Sequence, residues 1–554
     1  MKTTVARIWL AALAALAAFA AAPLAAASID ERLATHPPQA PLPVLLRRLS
    51  LDLTGQLPDR SLTDAALASP PVLDLDRETE RMLASPEFAQ HWGRVVQSWI
   101  TAGIPAYQPI ASRSLARWIA RELARGTPMD ALVRELVSAR GSALEHPAVS
   151  YLLQLRDTRD DLAGHLARTF LGARIQCAQC HDHPFAAWKK EDFRGFASVF
   201  AQVRVTQWPR ALLERVLSGE TVTPVQYMAY MPPYVRHGFR PGGPDDAKVR
   251  ETIASFTSLR NQGSTASDTL TVETFFEALQ LPRSQRGELT PGTFSLVLDT
   301  RTPAPGEVPR FLDGTHPAGP ARLRESLAAW IIASPDRRWA RCLVNRVWKE
   351  LVGRGLVEPV DDLDGPDDAR FARLLDELAA DWVAEGCQLR PLVRRIVSAA
   401  VYRSGASGEA PADATFAFQH ALARPLRPEV LARCVLQATG RAAGATSADL
   451  DRAATLQDEL ARTLRTATGV PAERLALTLQ NALYLTNGPP VNQAVVDAAG
   501  PALPEELVRR ALCRHATPAE QAAIAARFAQ APEPVALADV LWALCTSVEF
   551  QEVF

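Results

Sequence analysis

The chain has 554 residues, material for roughly two to four domains, and carries 60 Lys and Arg against 61 Asp and Glu, a formal net charge of −1. So even a balance gives no electrostatic case for nucleic acid or an anionic membrane surface as partner. Alanine, leucine and arginine dominate and β-branched runs are few, which predicts a mainly α fold, and 42 prolines predict many short helices with proline-marked joints.

Residues 1–27 read as a secretory leader. Lys2 and Arg7 form a positive start, Ile8 to Ala22 is an apolar run, and Ala25-Ala26-Ala27 before Ser28 is a small-residue cleavage site. The apolar run is short for a membrane span, no stop-transfer charges follow it, and no cysteine near the cleavage point invites a lipid anchor. Cleavage after Ala27 predicts an exported, periplasmic-type chain with no remaining transmembrane span. Losing Lys2 and Arg7 lowers its formal charge to −3.

A first helical block spans 28–204. Val44 to Leu53 predicts a helix stopped at Thr54-Gly55, Ser61 to Asp64 cap a short one, and Asp76 to Ala84 repeats apolar residues at helical spacing. Ser85-Pro86 restarts a helix whose Phe88, Trp92, Val95, Val96 and Trp99 are expected in the core. Helices follow at Ser114 to Arg125, Met129 to about Ala139, and Asp157 to Leu171, the last carrying His165.

That helix leads into Gln176-Cys177-Ala178-Gln179-Cys180-His181-Asp182-His183, which holds Cys-x-x-Cys-His, the attachment signature of c-type haem. Two thiols three positions apart can each bond one vinyl group of a porphyrin, and the next residue, His181, then supplies the proximal imidazole. Cys177, Cys180 and His183 also read as three ligands of a tetrahedral zinc. A redox dithiol, a local disulfide or an inert pair are the remaining readings. Export favours haem, because a cytosolic Cys-x-x-Cys would suggest thioredoxin-like chemistry. The other cysteines, Cys342, Cys387, Cys434, Cys513 and Cys545, are single and expected to be buried small hydrophobes.

Past a helix opened by Lys189 to Asp192, an irregular, partly β insert or linker occupies 205–308. Proline, glycine, serine and threonine rise there. Short β-like runs sit at Thr221 to Thr223, Thr269 to Val272 and Phe294 to Leu298, and a helix is expected near Val272 to Leu281. A second helical block, 309–554, has helices expected from Ala321 up to Ser334-Pro335, and at Arg338 to Val352, Phe371 to Glu385, Leu389 to Tyr402, Pro428 to Thr439, Ala448 to Arg465, Pro504 to Arg514, Pro518 to Ala529 and Leu537 to Thr546. The fold class expected is therefore two helical domains joined by this insert.

For a sixth iron position, or to complete a metal site, the candidates are His165, His183, His237, Met228 and Met231. His183 lies too close to His181 to reach the opposite face of the same haem. In the second block, Asn345-Arg346 with Glu350, and Glu358 to Asp362, form the densest polar constellation, and Arg346 is expected to pair with Asp361 or Asp362 and pin a loop to its helix. There is no Gly-x-Ser-x-Gly, phosphate-cradling glycine loop or His-Glu-x-x-His, so no enzyme class is indicated.

The chain resembles the exported, cytochrome-like proteins abundant in planctomycetes, which pair a cytochrome C-type domain of unknown function with a second domain of unknown function. The first half carries the resemblance in Arg47 to Gly55, Leu83-Ala84-Ser85-Pro86, Phe170-Leu171-Gly172 and Gln176 to Phe185. The second half carries it in Pro309 to Gly314, Leu343 to Trp348, Gly353 to Val357, Pro359 to Asp362 and Leu485 to Pro489. The resemblance implies a cytochrome-like label that rests on the same Cys-x-x-Cys-His and a role largely unassigned. Motif and leader together lead us to expect a single c-type haem on Cys177, Cys180 and His181, serving electron transfer or redox sensing with an unknown redox partner in the envelope. The alternative is a non-redox binding or scaffold protein with a structural zinc or local disulfide at the same segment.

Overall fold

The computed structural model describes residues 28–33, 36–102, 109–142, 146–153, 155, 159–207, 223, 250, 295–299, 306–319, 322–365, 369–407, 418–440, 492, 495–496, 498 and 503–554. Residues 1–27, where a leader is expected, most of the expected insert with Met228, Met231 and His237, the helices expected at Val272 to Leu281 and Ala448 to Arg465, and the Leu485 to Pro489 segment lie outside them.

The fold is mainly helical, as composition predicts. Local chemistry sets most helix ends. Helix α1 (Leu42–Thr54) stops where Gly55 takes φ +65°, a conformation only glycine adopts without strain. Helix α2 (Pro86–Thr101) starts with proline in its first turn and the Ser85 hydroxyl accepting from the Phe88 amide at 3.3 Å. Its Phe88, Trp92, Val95, Val96 and Trp99 are all buried, as their spacing requires. Helix α3 (Arg159–Leu171) leads to the motif, and α4 (Lys190–Ser198) follows it. In the second block, α5 (Arg338–Val352) ends at Gly353, with φ +96°. Further helices run Ala369–Ala384, Leu389–Val397, Ala400–Arg403, Pro428–Ala438, Pro504–Leu512, Pro518–Gln530 and Glu533–Cys545.

One hydrophobic core runs through both blocks, from Ile29 and Trp92 through Phe170 to Trp348, Trp382 and Tyr402. A smaller core gathers Leu51 and Leu57 with Leu431, Val508, Leu541 and Phe550. The helical blocks are thus packed on one another. The sheet content is slight: strand β1 (Gly141–Ser142) and β2 (Val203–Gln207) flank β3 (Ser295–Asp299) in an antiparallel sheet of order β1-β3-β2, with Val205 opposite Val297. The β-like run at Phe294 to Leu298 therefore forms a strand, and it pairs with the first block. Among the described residues, no helix is long and apolar enough to cross a membrane.

Charged residues in α1 join the blocks. Arg47 donates to the carbonyls of Glu549, Phe550 and Glu552, and Arg48 to those of Tyr402, Ser404 and Phe554. Asp52 accepts from the Tyr402 hydroxyl at 2.9 Å and pairs with Arg424. All five of these side chains are buried, so each guanidinium finds its partners inside the protein.

Candidate functional site: the Cys-x-x-Cys-His turn

Residues 176–179 form a single 3-10 turn that lies on α3. The Gln176 side chain donates to the Gly164 carbonyl at 3.0 Å and rests where a Cβ on residue 164 would come within 2.9 Å of it. Gln179 donates to Asp160 at 3.2 Å, while Ile175 and Ala178 are buried as the turn's apolar underside. What remains faces solvent. Cys177 and Cys180 are exposed free thiols, and His181 is exposed beside them. His181 Nδ1 lies 2.7 Å from the Asp182 carbonyl. A carbonyl can only accept, so Nδ1 carries a proton, and in the neutral ring Nε2 then keeps its lone pair.

His183 is placed differently. Its Nδ1 accepts from the amides of Phe185 (3.2 Å) and Ala186 (2.9 Å), so its neutral ring carries the proton on Nε2. Its own amide donates to the Trp188 carbonyl at 2.8 Å, closing the loop. A zinc held by His183 through either nitrogen would have to break this arrangement. Phe185, at the loop's tip, is 96% exposed. Among the described residues, no group of three or more His, Cys, Asp or Glu side chains is gathered as a metal site.

The second block holds this segment from the other side. Gly172, with φ +54°, has its carbonyl accepting from the Leu363 amide (2.7 Å) and Arg338 (3.1 Å), and a Cβ there would come 2.7 Å from Leu363. Arg174 pairs with Asp361 at 2.5 Å. The Trp188 indole donates to Asp364 at 3.0 Å, Arg338 pairs with Asp364 at 2.6 Å, and the Arg338 guanidinium lies over the Trp188 ring. Asp361 to Asp364, together with Arg338, thus form a clamp on the motif loop. Sequence reasoning does not single out Trp188 or Arg338. The one signal is a tryptophan a short way past the motif, and a pairing across 176 positions has no local pattern.

His165 is buried. Its Nε2 donates to the Ala102 carbonyl (3.2 Å), Nδ1 faces the hydroxyls of Tyr151 and Thr169, and burial followed by Arg168 pushes its pKa down to about 3. Both nitrogens are engaged in packing. Arg346 is buried and donates to the Arg168 carbonyl at 3.4 Å, while Asp361 sits with Arg174 and 3.9 Å from Arg168. Asn345 pins the loop after α5: it donates to the Val357 carbonyl and accepts from the amides of Leu356 and Val357. A cavity of about 10 Å³ lined by Val96, Trp99, Ile119, Thr169 and Arg346 has room for one water and includes none of the motif. The remaining cysteines are buried, and burial pushes Cys434 and Cys545 up to about 12 and Cys387 and Cys513 up to about 11, which keeps them protonated.

Two family models match the chain. Residues 24–205 match PSCyt2, a planctomycete cytochrome-like domain described as a protein of unknown function (DUF1549). Residues 323–452 match PSD1, described as a protein of unknown function (DUF1553). No curated protein and no solved structure matches the chain.

Proposed function

We propose that this chain is an exported single-haem c-type protein that transfers electrons or senses redox state in the cell envelope. Cys177 and Cys180 would hold the haem through thioether bonds, and His181 Nε2 would ligate its iron. The observation that carries this reading is the exposed turn itself: two free thiols three positions apart, followed by an imidazole whose Nδ1 is already hydrogen-bonded and whose Nε2 is open. The match to a cytochrome-like domain and the leader at 1–27 support it.

Haem, when bound, supplies a one-electron carrier whose potential depends on its ligands and surroundings. The chain's own part is to present both thiols to attachment machinery, to fix the His181 tautomer, and to leave the turn reachable by an external redox partner. His165 does not serve as second ligand without giving up its bond to Ala102, and it stays in the core. The zinc reading is less well supported, because His183 Nδ1 is spent on two backbone amides.

The test is expression with the leader intact in a host that attaches haem. The protein keeps a Soret band, Cys177→Ala with Cys180→Ala abolishes it, and His181→Ala alters the reduced spectrum. A colourless protein holding one zinc, lost in His183→Ala, overturns the haem reading in favour of a scaffold. A colourless, metal-free protein with Cys177 bonded to Cys180 leaves a local disulfide.

A further inference from the structure

We infer that the second helical block, through Asp364, Arg338 and Trp188, sets the orientation and tautomer of His181. The inference deepens the haem reading and rests on it for its purpose, while its geometry stands apart from any bound group. The argument turns on one peptide plane. The Asp182 carbonyl that accepts from His181 Nδ1 belongs to the same rigid unit as the His183 amide. In a trans peptide the carbonyl and amide point in opposite directions, so fixing one fixes the other. The His183 amide is fixed by the Trp188 carbonyl at 2.8 Å. Trp188 is in turn fixed by its indole bond to Asp364 at 3.0 Å and by Arg338, which pairs with Asp364 and covers the ring.

Two further contacts stiffen the loop between these points. His183 Nδ1 gathers the amides of Phe185 and Ala186, and Asp182 Oδ1 accepts from the Lys190 amide at 2.9 Å, at the start of α4. His183 is therefore a positioning residue, and Asp364 and Arg338 are the anchor in the second block. The stretch matching the second domain of unknown function thereby acquires a role, since it holds the loop that aims the imidazole of the first.

Selective 15N-histidine NMR of the full mature chain, prepared without haem and with its thiols reduced, reads the tautomer directly. The His181 signal is assigned by its loss in His181→Ala. The wild type shows the Nδ1–H form. Trp188→Phe, which keeps an aromatic ring under Arg338 but removes the indole donor, and Asp364→Ala lose that form as the dominant one. Asp364→Asn, which restores an acceptor for the indole, recovers it. Circular dichroism confirms that each variant is folded, and if Asp364→Ala is not, Trp188→Phe alone decides. A wild type in the Nε2–H form, or a folded Trp188→Phe that keeps the wild-type tautomer, overturns the inference. If the tautomer behaves as stated but the exported protein carries no haem, the haem reading fails and the positioning role stands.

Discussion

The buried pair Glu350–Arg427 makes a quantitative prediction about what joins the helices. Arg427 meets both carboxylate oxygens, at 2.9 and 2.6 Å, and donates to Ser98 Oγ at 2.7 Å, so it links α2, α5 and the helix starting at Pro428. Their side chains are only 2% and 11% exposed. Glu350→Leu leaves a guanidinium buried without its carboxylate, which costs about 3–5 kcal/mol, and Arg427→Met strands the carboxylate at a similar cost. The double variant removes both charges, and Ser98 keeps its bond to the Val95 carbonyl. Its loss is expected to be within about 1 kcal/mol of zero, far below the sum of the singles. Urea unfolding followed by tryptophan fluorescence measures this, since Trp92, Trp99 and Trp348 are buried on these same helices. A double variant as unstable as the summed singles would refute the coupling.

Acid should destabilise the fold through two histidines. Burial, reinforced by Arg427, pushes His91 down to about 3, and His165 is held equally low. The folded state resists protonation that the unfolded chain accepts near pH 6.5, so this stability is complete above about 6.5 and falls by roughly 1.4 kcal/mol per pH unit per histidine as pH drops toward 3. Denaturant midpoints across that window should slope accordingly, and His165→Gln should flatten the slope; a flat wild-type profile would contradict the burial of both rings. Asn345→Leu strands the Val357 carbonyl and two amides, and is expected to cost about 2–4 kcal/mol in the same urea assay, where a loss under 1 kcal/mol would count against the pinning role. Limited trypsin digestion should cut first within 205–308, where the composition turns to loop residues. The two pieces should then co-elute on gel filtration, because one core runs through both blocks; separation of the halves would contradict that packing.

The helix ends are legible in the sequence because they are local. Gly55, Ser85-Pro86, Gly353 and Pro428 each mark a boundary within a residue or two of where it falls. Apolar spacing predicts one helix over Leu389 to Tyr402, and the structure has two, Leu389–Val397 and Ala400–Arg403. The spacing continues across the break, and the new start is capped from far away: Asp30 accepts from the Ala400 amide at 2.8 Å. Charges in α1 mislead in the same manner. Arg47, Arg48 and Asp52 would ordinarily mark a solvent face, yet their partners lie in the last residues of the chain and near Tyr402. The motif's chemistry is legible because spacing alone places two thiols on one turn. The clamp behind it is not, since Trp188 meets Asp364 and Arg174 meets Asp361 only once the blocks are packed.

The most direct test of the central claim is intact mass of the denatured, exported protein. Thioether bonds survive loss of the fold, whereas zinc leaves once its ligands separate. The account predicts the mass of the chain from Ser28 onward plus one haem, and the unmodified mass for Cys177→Ala with Cys180→Ala. A wild-type chain at its unmodified mass, produced in a host that loads haem onto a control cytochrome, would contradict it.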